Sequence, residues 1–239
     1  MSTRETVKKF FFTKNVRVLF SAVFGIAAAW FIGSSSIGKN IELNALDLQF
    51  RLAQGSRHAD TSIVILTIDQ NSLQYFKRTA RTSWPWPRDY YAITTDYLAK
   101  SGAKAIVYDF HFNEPDGDRV NSSTGAENDS AFARSIGRAG NVFLSTQLTH
   151  AFDEDQPGDT LISFPSPISS LRQTEQFNFD KTYAPLLQFQ KAAHGVGVVN
   201  FTADEDGVCR QIPLAYTLNG KELYSLSFDV YRTLFNSSS

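Results

Sequence analysis

One cysteine in 239 residues leaves no intramolecular disulfide to form, so the fold must be held by packing alone. That residue, Cys209, stands between Val208 and Arg210 with no histidine beside it, and reads as a small strand residue rather than a nucleophile. Histidine is nearly as scarce. His58, His111, His150 and His194 are scattered at no zinc-binding spacing, so no metal centre of that kind and no cofactor is expected. The chain lacks a phosphate-cradling glycine loop and a nucleophile elbow, which removes the sequence grounds for an enzyme. Positive charge is missing where a polyanion would need it: 6 of the 23 basic residues and 1 of the 24 acidic ones lie in the first 39 positions, leaving 17 against 23 and a net charge of −6 on residues 40–239. That balance supplies no basic face, so nucleic acid is not an expected partner.

Charge of either sign is absent from Val18 to Gly38, "VLFSAVFGIAAAWFIGSSSIG", 21 residues preceded by Arg4, Lys8, Lys9, Lys14 and Arg17. At about 1.5 Å per residue, a helix of that length crosses most of a roughly 30 Å hydrocarbon core. Basic residues ahead of an apolar run stay in the cytoplasm, which places the chain after Lys39 outside the inner membrane. A cleaved signal peptide has the same basic start and apolar core; the uncharged run exceeds the usual core, which favours a retained anchor. The expected organisation is a cytoplasmic segment at 1–17, a transmembrane helix at 18–38 and an extracytoplasmic domain at 39–239.

Along that domain, "IELNALDLQFRLAQG" has helical spacing at Leu43, Leu46 and Phe50, continuing from the membrane segment or following a short break. "SIVILTID" is a near-continuous β-branched run of strand length ending in Asp69, the pattern of a strand buried on both faces. "SLQYFKR" suits a short helix. "YYAITTDYLAKSGA" is an amphipathic helix closed by Gly102, and "AKAIVYDFHF" is a second buried strand with Asp109 towards its carboxyl end, so Ile63 to Phe110 reads as a βαβ unit. "EPDGDRVNSSTGAEND" is a polar loop, "SAFARSIGRAG" a short helix capped by Asp129 or Ser130, and "NVFLSTQL" a third strand. Residues 150–178 form a long polar excursion. "HGVGVVNFT" and "VCRQIPLAYTL" read as a hairpin around "ADEDG", "NGK" as another turn, and "LYSLSFDVYRTLF" as a last helix. The fold class is α/β, with a mixed, partly parallel sheet flanked by helices.

Two carboxylates, Asp69 and Asp109, then end neighbouring parallel strands, where ligands of open α/β sheets bind. They could hold a hard cation, or one could cap a turn while the other pairs with Arg88. "DEDG" at 204–207 has acids before a glycine, as calcium loops do, but the twelfth position counted from Asp204 is Ala215 instead of a glutamate; a tight turn with Gly207 at positive φ accounts for it. "SWPWPRDYYA" at 83–92 reads as a stiff entrance to the helix, with Pro87 in the first turn, at least one tryptophan plugging the core, and any ligand role resting on Arg88 and one indole edge.

The basic start, the single apolar segment, "DLQFR", "SWPWPRDYYA", "GAKAIVYDFHFNEPD" and "GVGVVNFTADEDGVCRQIPL", in that order, resemble the CHASE domain of type two over about residues 40–235. The resemblance implies an extracytoplasmic input domain of a bacterial membrane receptor whose output, a nucleotide cyclase, histidine kinase or similar, lies in the cytoplasm. It maps family motif positions onto Asp47, Arg51, Trp84, Pro85, Trp86, Pro87, Arg88, Gly102, Asp109, Asn200, Asp204, Asp206, Gly207 and Arg210. Family members continue past the last helix with further strands and membrane helices, so the chain is expected to be a fragment. The residues expected to contact a ligand are Asp69, Trp84, Trp86, Arg88, Asp109, Asn200, Asp206 and Arg210. Expected partners are the membrane, an unknown small-molecule or protein signal, and a second copy in a homodimer. A dimerising module without a small-molecule ligand and a metal-dependent exported hydrolase built on Asp69 and Asp109 are the competing readings.

Overall fold

The computed structural model describes residues 14–54, 61–119, 123–150, 160–162, 177–204 and 206–236. The chain divides into two units, Met1–Thr67 and Ile68–Ser239.

In the first unit an uninterrupted apolar stretch without proline winds into helix α1 (Lys14–Gly33). Its window Val16–Gly33 has a mean hydropathy of 1.9 and is long and apolar enough to cross a membrane. The helix ends at Gly33, five residues short of the expected boundary. Ser34 and Ser35 break the ladder, because serine hydroxyls compete for backbone groups: Ser35 Oγ donates to the Ile32 carbonyl at 2.6 Å and accepts the Gly38 N–H at 3.3 Å. Helix α2 (Ser36–Gln54) follows, so the short break between the two predicted helices is real.

The run "SIVILTI" is not a strand. Residues 63–68 form no strand with any of the described residues, and Ile63, Val64, Ile65 and Leu66 are 62–80% exposed. The βαβ unit expected from Ile63 to Phe110 therefore does not form. β-Branched composition reports fit to a pleated, covered surface rather than a backbone preference, and no strand among the described residues satisfies it here.

In the second unit, helices α3 (Gln70–Thr79) and α4 (Arg88–Lys100) precede strand β1 (Ile106–Tyr108). Gly102, at φ 85°, ends α4 as expected, its N–H bonded to the Ala99 carbonyl. Helix α5 (Gly125–Ala139) leads to strand β2 (Val142–Thr149). Its cap is neither Asp129 nor Ser130 but Thr124, whose side chain accepts the Glu127 N–H while Glu127 reaches back, a capping box that starts the helix five residues early. Strands β3 (Asn178–Phe179) and β4 (Lys181–Tyr183), helix α6 (Leu187–Ala192), strands β5 (Gly195–Val198), β6 (Ala215–Leu218) and β7 (Lys221–Tyr224), and helix α7 (Leu226–Asn236) complete it.

Strand β2 is the centre of the main sheet. Phe143 and Leu144 pair with both β1 and β5, parallel on opposite sides, while β4 runs antiparallel along the far end of β2. The parallel units actually present are thus β1–α5–β2 and the connection from β2 to β5. One face carries Ile106, Tyr108, Val142, Leu144, Val196 and Val198 into a core shared with Tyr91, Phe112, Phe132, Ile136 and Phe189. Edge-on aromatic pairs dominate it, with Phe112–Phe132 centroids 5.0 Å apart and Phe132–Phe189 5.1 Å. Each such fully buried ring is worth about 2–3 kcal/mol of burial. The other face is sealed at β5 by α7, which comes so close that a Cβ on Gly197 would lie 2.4 Å from the Leu226 Cα.

The hairpin expected between residues 194–202 and 208–218 is replaced. β5 joins β2, and β6 pairs with β7 around Asn219 and Gly220, at φ 48° and 77°, the positive pair a two-residue turn demands. β3 adds to β6 in parallel to complete this three-stranded sheet. Most of the 150–178 excursion lies outside the described residues; residues 160–162 are held by Gln190, whose side chain bonds Thr160 O, Pro185 O and the Ile162 N–H.

Candidate functional site

The stretch leading into α4 builds a buried charged junction. Trp86 is 7% exposed and packs on Phe76 with centroids 4.3 Å apart, whereas Trp84, joined to Pro85 by a cis bond, is 48% exposed and edge-on to Trp86. One indole plugs the core and the other offers an edge, as the sequence suggested. Pro87 stands at the cap, one residue ahead of the helix rather than in its first turn. Proline has no side-chain acceptor, so the Arg88 N–H is capped from far along the chain by Asp116 Oδ2 at 3.0 Å.

Asp116 is the hub of the loop after β1. It also accepts from Asn128 Nδ2 at 3.0 Å and Arg119 Nη1 at 2.9 Å, and its own N–H donates to Asp129 Oδ2 at 3.1 Å. Arg119 Nη2 returns to the Pro85 carbonyl, and Asp118 Oδ1 accepts the Gly125 N–H at the start of α5. Gly125 must be glycine here: a Cβ would stand 1.9 Å from the Asp116 carbonyl oxygen. The loop is thereby stitched to the entrances of both α4 and α5.

Arg88 joins these parts. Its Nη2 donates to Glu114 O at 3.2 Å, its guanidinium lies 4.7 Å from the Phe112 ring centroid, and its Nε is 3.7 Å from Asp129 Oδ1. Neither Arg88 Nε nor Asp129 Oδ1 has a hydrogen-bond partner, although the two side chains are only 12% and 3% exposed. The two carboxyls consequently diverge. Burial raises Asp116, but the Arg88 N–H, the Asn128 amide and Arg119 outweigh it and hold the group below its ordinary range. Burial raises Asp129 as well, and its single N–H bond with the distant guanidinium leaves it raised. Beside this junction is an open groove of about 620 Å³, formed by Pro115, Asp116 and Asp118 of the loop, Ala126, Asp129 and Ser130 of α5, and Leu186, Leu187 and Gln188 at α6.

Hydrogen bonding does not gather the eight expected ligand residues into one place. Asp69 caps α3, accepting Ser72 N at 2.8 Å and Ser72 Oγ at 2.7 Å, so the capping alternative holds for it. Asp109 is exposed just past β1, and Arg88 pairs with neither of these acids but with Asp129. Since residues 63–68 form no strand, Asp69 and Asp109 do not end neighbouring strands. Asn200 grips β2, donating to Leu148 O and accepting Leu148 N–H, both at 2.7 Å. Arg210, its side chain 3% exposed, bonds Asp204 Oδ2 at 2.9 Å and Asp206 Oδ2 at 2.8 Å. The Arg210 hydrogen bond holds Asp206 down to about 2. The "DEDG" acids thus face an internal guanidinium, and Gly207 supplies the positive φ of 81°. Among the described residues no three histidine, cysteine or acidic side chains converge to hold a metal ion.

Asp116 and Asp129, which meet at this junction, were not among the site residues expected from the sequence, where Asp129 stood only as a helix-cap candidate. One signal could have found them: the T-x-x-E pattern at 124–127 moves the helix start forward and puts Asp129 on the buried face with Phe132 and Ile136.

No curated protein and no solved structure matches this chain. The family model described as the CHASE2 domain matches residues 21–238, from within α1 to beyond α7. A match across nearly the whole chain, on an α/β body that follows one apolar helix, makes this chain a member of the CHASE2 domain family, the extracytoplasmic sensory domains of receptors.

Proposed function

We propose that this chain is the input region of a bacterial membrane receptor, anchored in the inner membrane by α1 with its basic end in the cytoplasm, which detects an external signal and regulates a cytoplasmic cyclase, histidine kinase or similar output. The observation that carries this reading is the CHASE2 match over residues 21–238. In this reading the sensing element is the Arg88 junction, because one side chain there touches the helix entrance, the loop after β1 and α5 together. Reporter fusion at the end of α7 tests the topology: alkaline phosphatase should be active there, and activity of a cytoplasm-dependent reporter at the same position would overturn it. In the receptor, Arg88→Ala should change the output per receptor molecule in the membrane; unchanged output per receptor would remove the junction from signalling.

A second reading, association with another copy of the chain, is favoured by Ile93 and Tyr97. They are 65% and 70% exposed one turn apart on α4. Sedimentation of the purified chain should show concentration-dependent dimers, and a strictly monomeric chain would remove it.

A further inference from the structure

We infer that the Arg88 junction is a proton-operated latch, in which Asp129 takes up a proton from the external medium and lets go of Arg88. The inference rests on the sensory reading above and names the signal: acidity. Asp129 is 2% exposed, yet only one of its oxygens is served, Oδ2 by the Asp116 N–H; Oδ1 accepts no hydrogen bond, and the nearest cation, Arg88 Nε, stands 3.7 Å away and is also unbonded. A buried carboxylate is stable as an anion only when donors surround it. This one has a single donor and a carboxylate neighbour.

Burial and the Asp116 charge raise Asp129, against the Asp116 N–H and Arg88, which lower it, and burial prevails. From α4 comes Arg88, whose guanidinium lies 6.0 Å from the Tyr91 ring; burial pushes the Tyr91 hydroxyl up to about 12 and keeps it neutral. The loop after β1 supplies Asp116, saturated by three donors, together with Asp118 and Arg119, which is already engaged by Asp116 and Pro85. On its own helix Glu127 is tied into the capping box, and Asn128 donates to Asp116. The only charged residue of α6, Lys191, is exposed. Asp129 therefore protonates first, at Oδ1, while Asp116 stays ionised further into acid. The pair is separated by environment, as acid and base pairs in active sites are. The groove, which Asp129 lines, connects it to bulk solvent.

Protonation cancels the attraction between Asp129 and Arg88 and sets an O–H against an N–H. The Arg88 side chain is left with Glu114 O and the Phe112 ring, so the tie between the entrance of α4 and α5 loosens, while Ser135 and Arg138 still hold Asp96 further along α4. It does so without unfolding. A carboxyl raised above its unfolded value of about 3.8 binds protons more readily in the folded chain, so its contribution to stability grows as pH falls through the folded value. Asp116 and Asp96, both lowered, act in the opposite sense and lose their contribution in stronger acid.

The test uses the whole chain in detergent, with tryptophan fluorescence and far-ultraviolet dichroism followed from about pH 7.5 to about pH 4. Wild type should show a reversible fluorescence transition reporting Trp84 and Trp86 while helicity is unchanged. Asp129→Asn should lack it and hold the acid-form signal throughout, and Asp116→Asn should keep it, moved about one unit towards acid by loss of the neighbouring charge. An Asp129→Asn chain with the wild-type transition overturns the latch, as does a wild type with none. Should that variant fail to fold, carbon-13 carboxyl titration of wild type decides: Asp129 must titrate above Asp116, and the reverse order overturns it. A transition in the purified chain with receptor output flat over the same range would keep the latch and sink its sensory role.

Discussion

At the scale of single residues, Arg88 and Asp129 are tied by burial more than by contact. Removing one charge of a buried pair leaves the other without compensation, so Arg88→Ala should cost about 3 kcal/mol in urea unfolding, and most of that should return in the Arg88→Ala, Asp129→Asn double variant. An additive double variant would show that Arg88 acts through its Phe112 and Glu114 contacts instead. The Arg210 clamp behaves differently. Asp206 is drawn down to about 2 by its hydrogen bond to Arg210, so the tie is complete at neutral pH and is lost only as pH falls through that value. The two clusters separate on titration: as pH falls, Asp129, raised by burial, takes up its proton first and the Asp204–Arg210–Asp206 arrangement is still intact.

At the scale of elements, close approach and capping decide where helices sit. The Cβ of a Gly197→Ala variant would meet Leu226 backbone at 2.4 Å, which only a shift of α7 away from β5 relieves; a loss of about 2 kcal/mol or more in thermal or urea unfolding is expected. Thr124→Ala removes the acceptor that starts α5 and should cost about 1 kcal/mol by the same measurement. Much of this layer was legible. The helices around residues 43–50, 72–78, 90–100 and 226–234, the strand at 142–148 and the Asn219–Gly220 turn follow from apolar period and turn chemistry, which are local. What stayed hidden depended on partners. "SIVILTI" has strand composition but no strand partner among the described residues, "VCRQI" precedes β6 without joining a sheet among them, and Asp129 reads as a cap until Thr124 claims that place. The site suffered most, since Asp116 and Asp129 lie 13 positions apart and meet only because Gly125 lets the loop touch the helix.

At the scale of the whole molecule, each unit has its own character, one an apolar helix followed by an amphipathic one, the other an α/β body with a single aromatic core. If Ile93 and Tyr97 bring two copies together, Tyr97→Glu should shift the sedimentation equilibrium to monomer without changing helicity; an unaltered equilibrium would place the contact elsewhere. The joint at Ser34 and Ser35 bears on how any motion is carried along the chain. A continuous helix is a stiff shaft that delivers rotation from one end to the other, whereas an interrupted one is a hinge that swallows torque unless something braces it. Here the brace is Gly38, where even a methyl group would lie 2.1 Å from the Ile32 carbonyl oxygen. Gly38→Ala would therefore pry the elbow apart, and such a receptor should run slack, its output deaf to the outside although every sensing residue is in place.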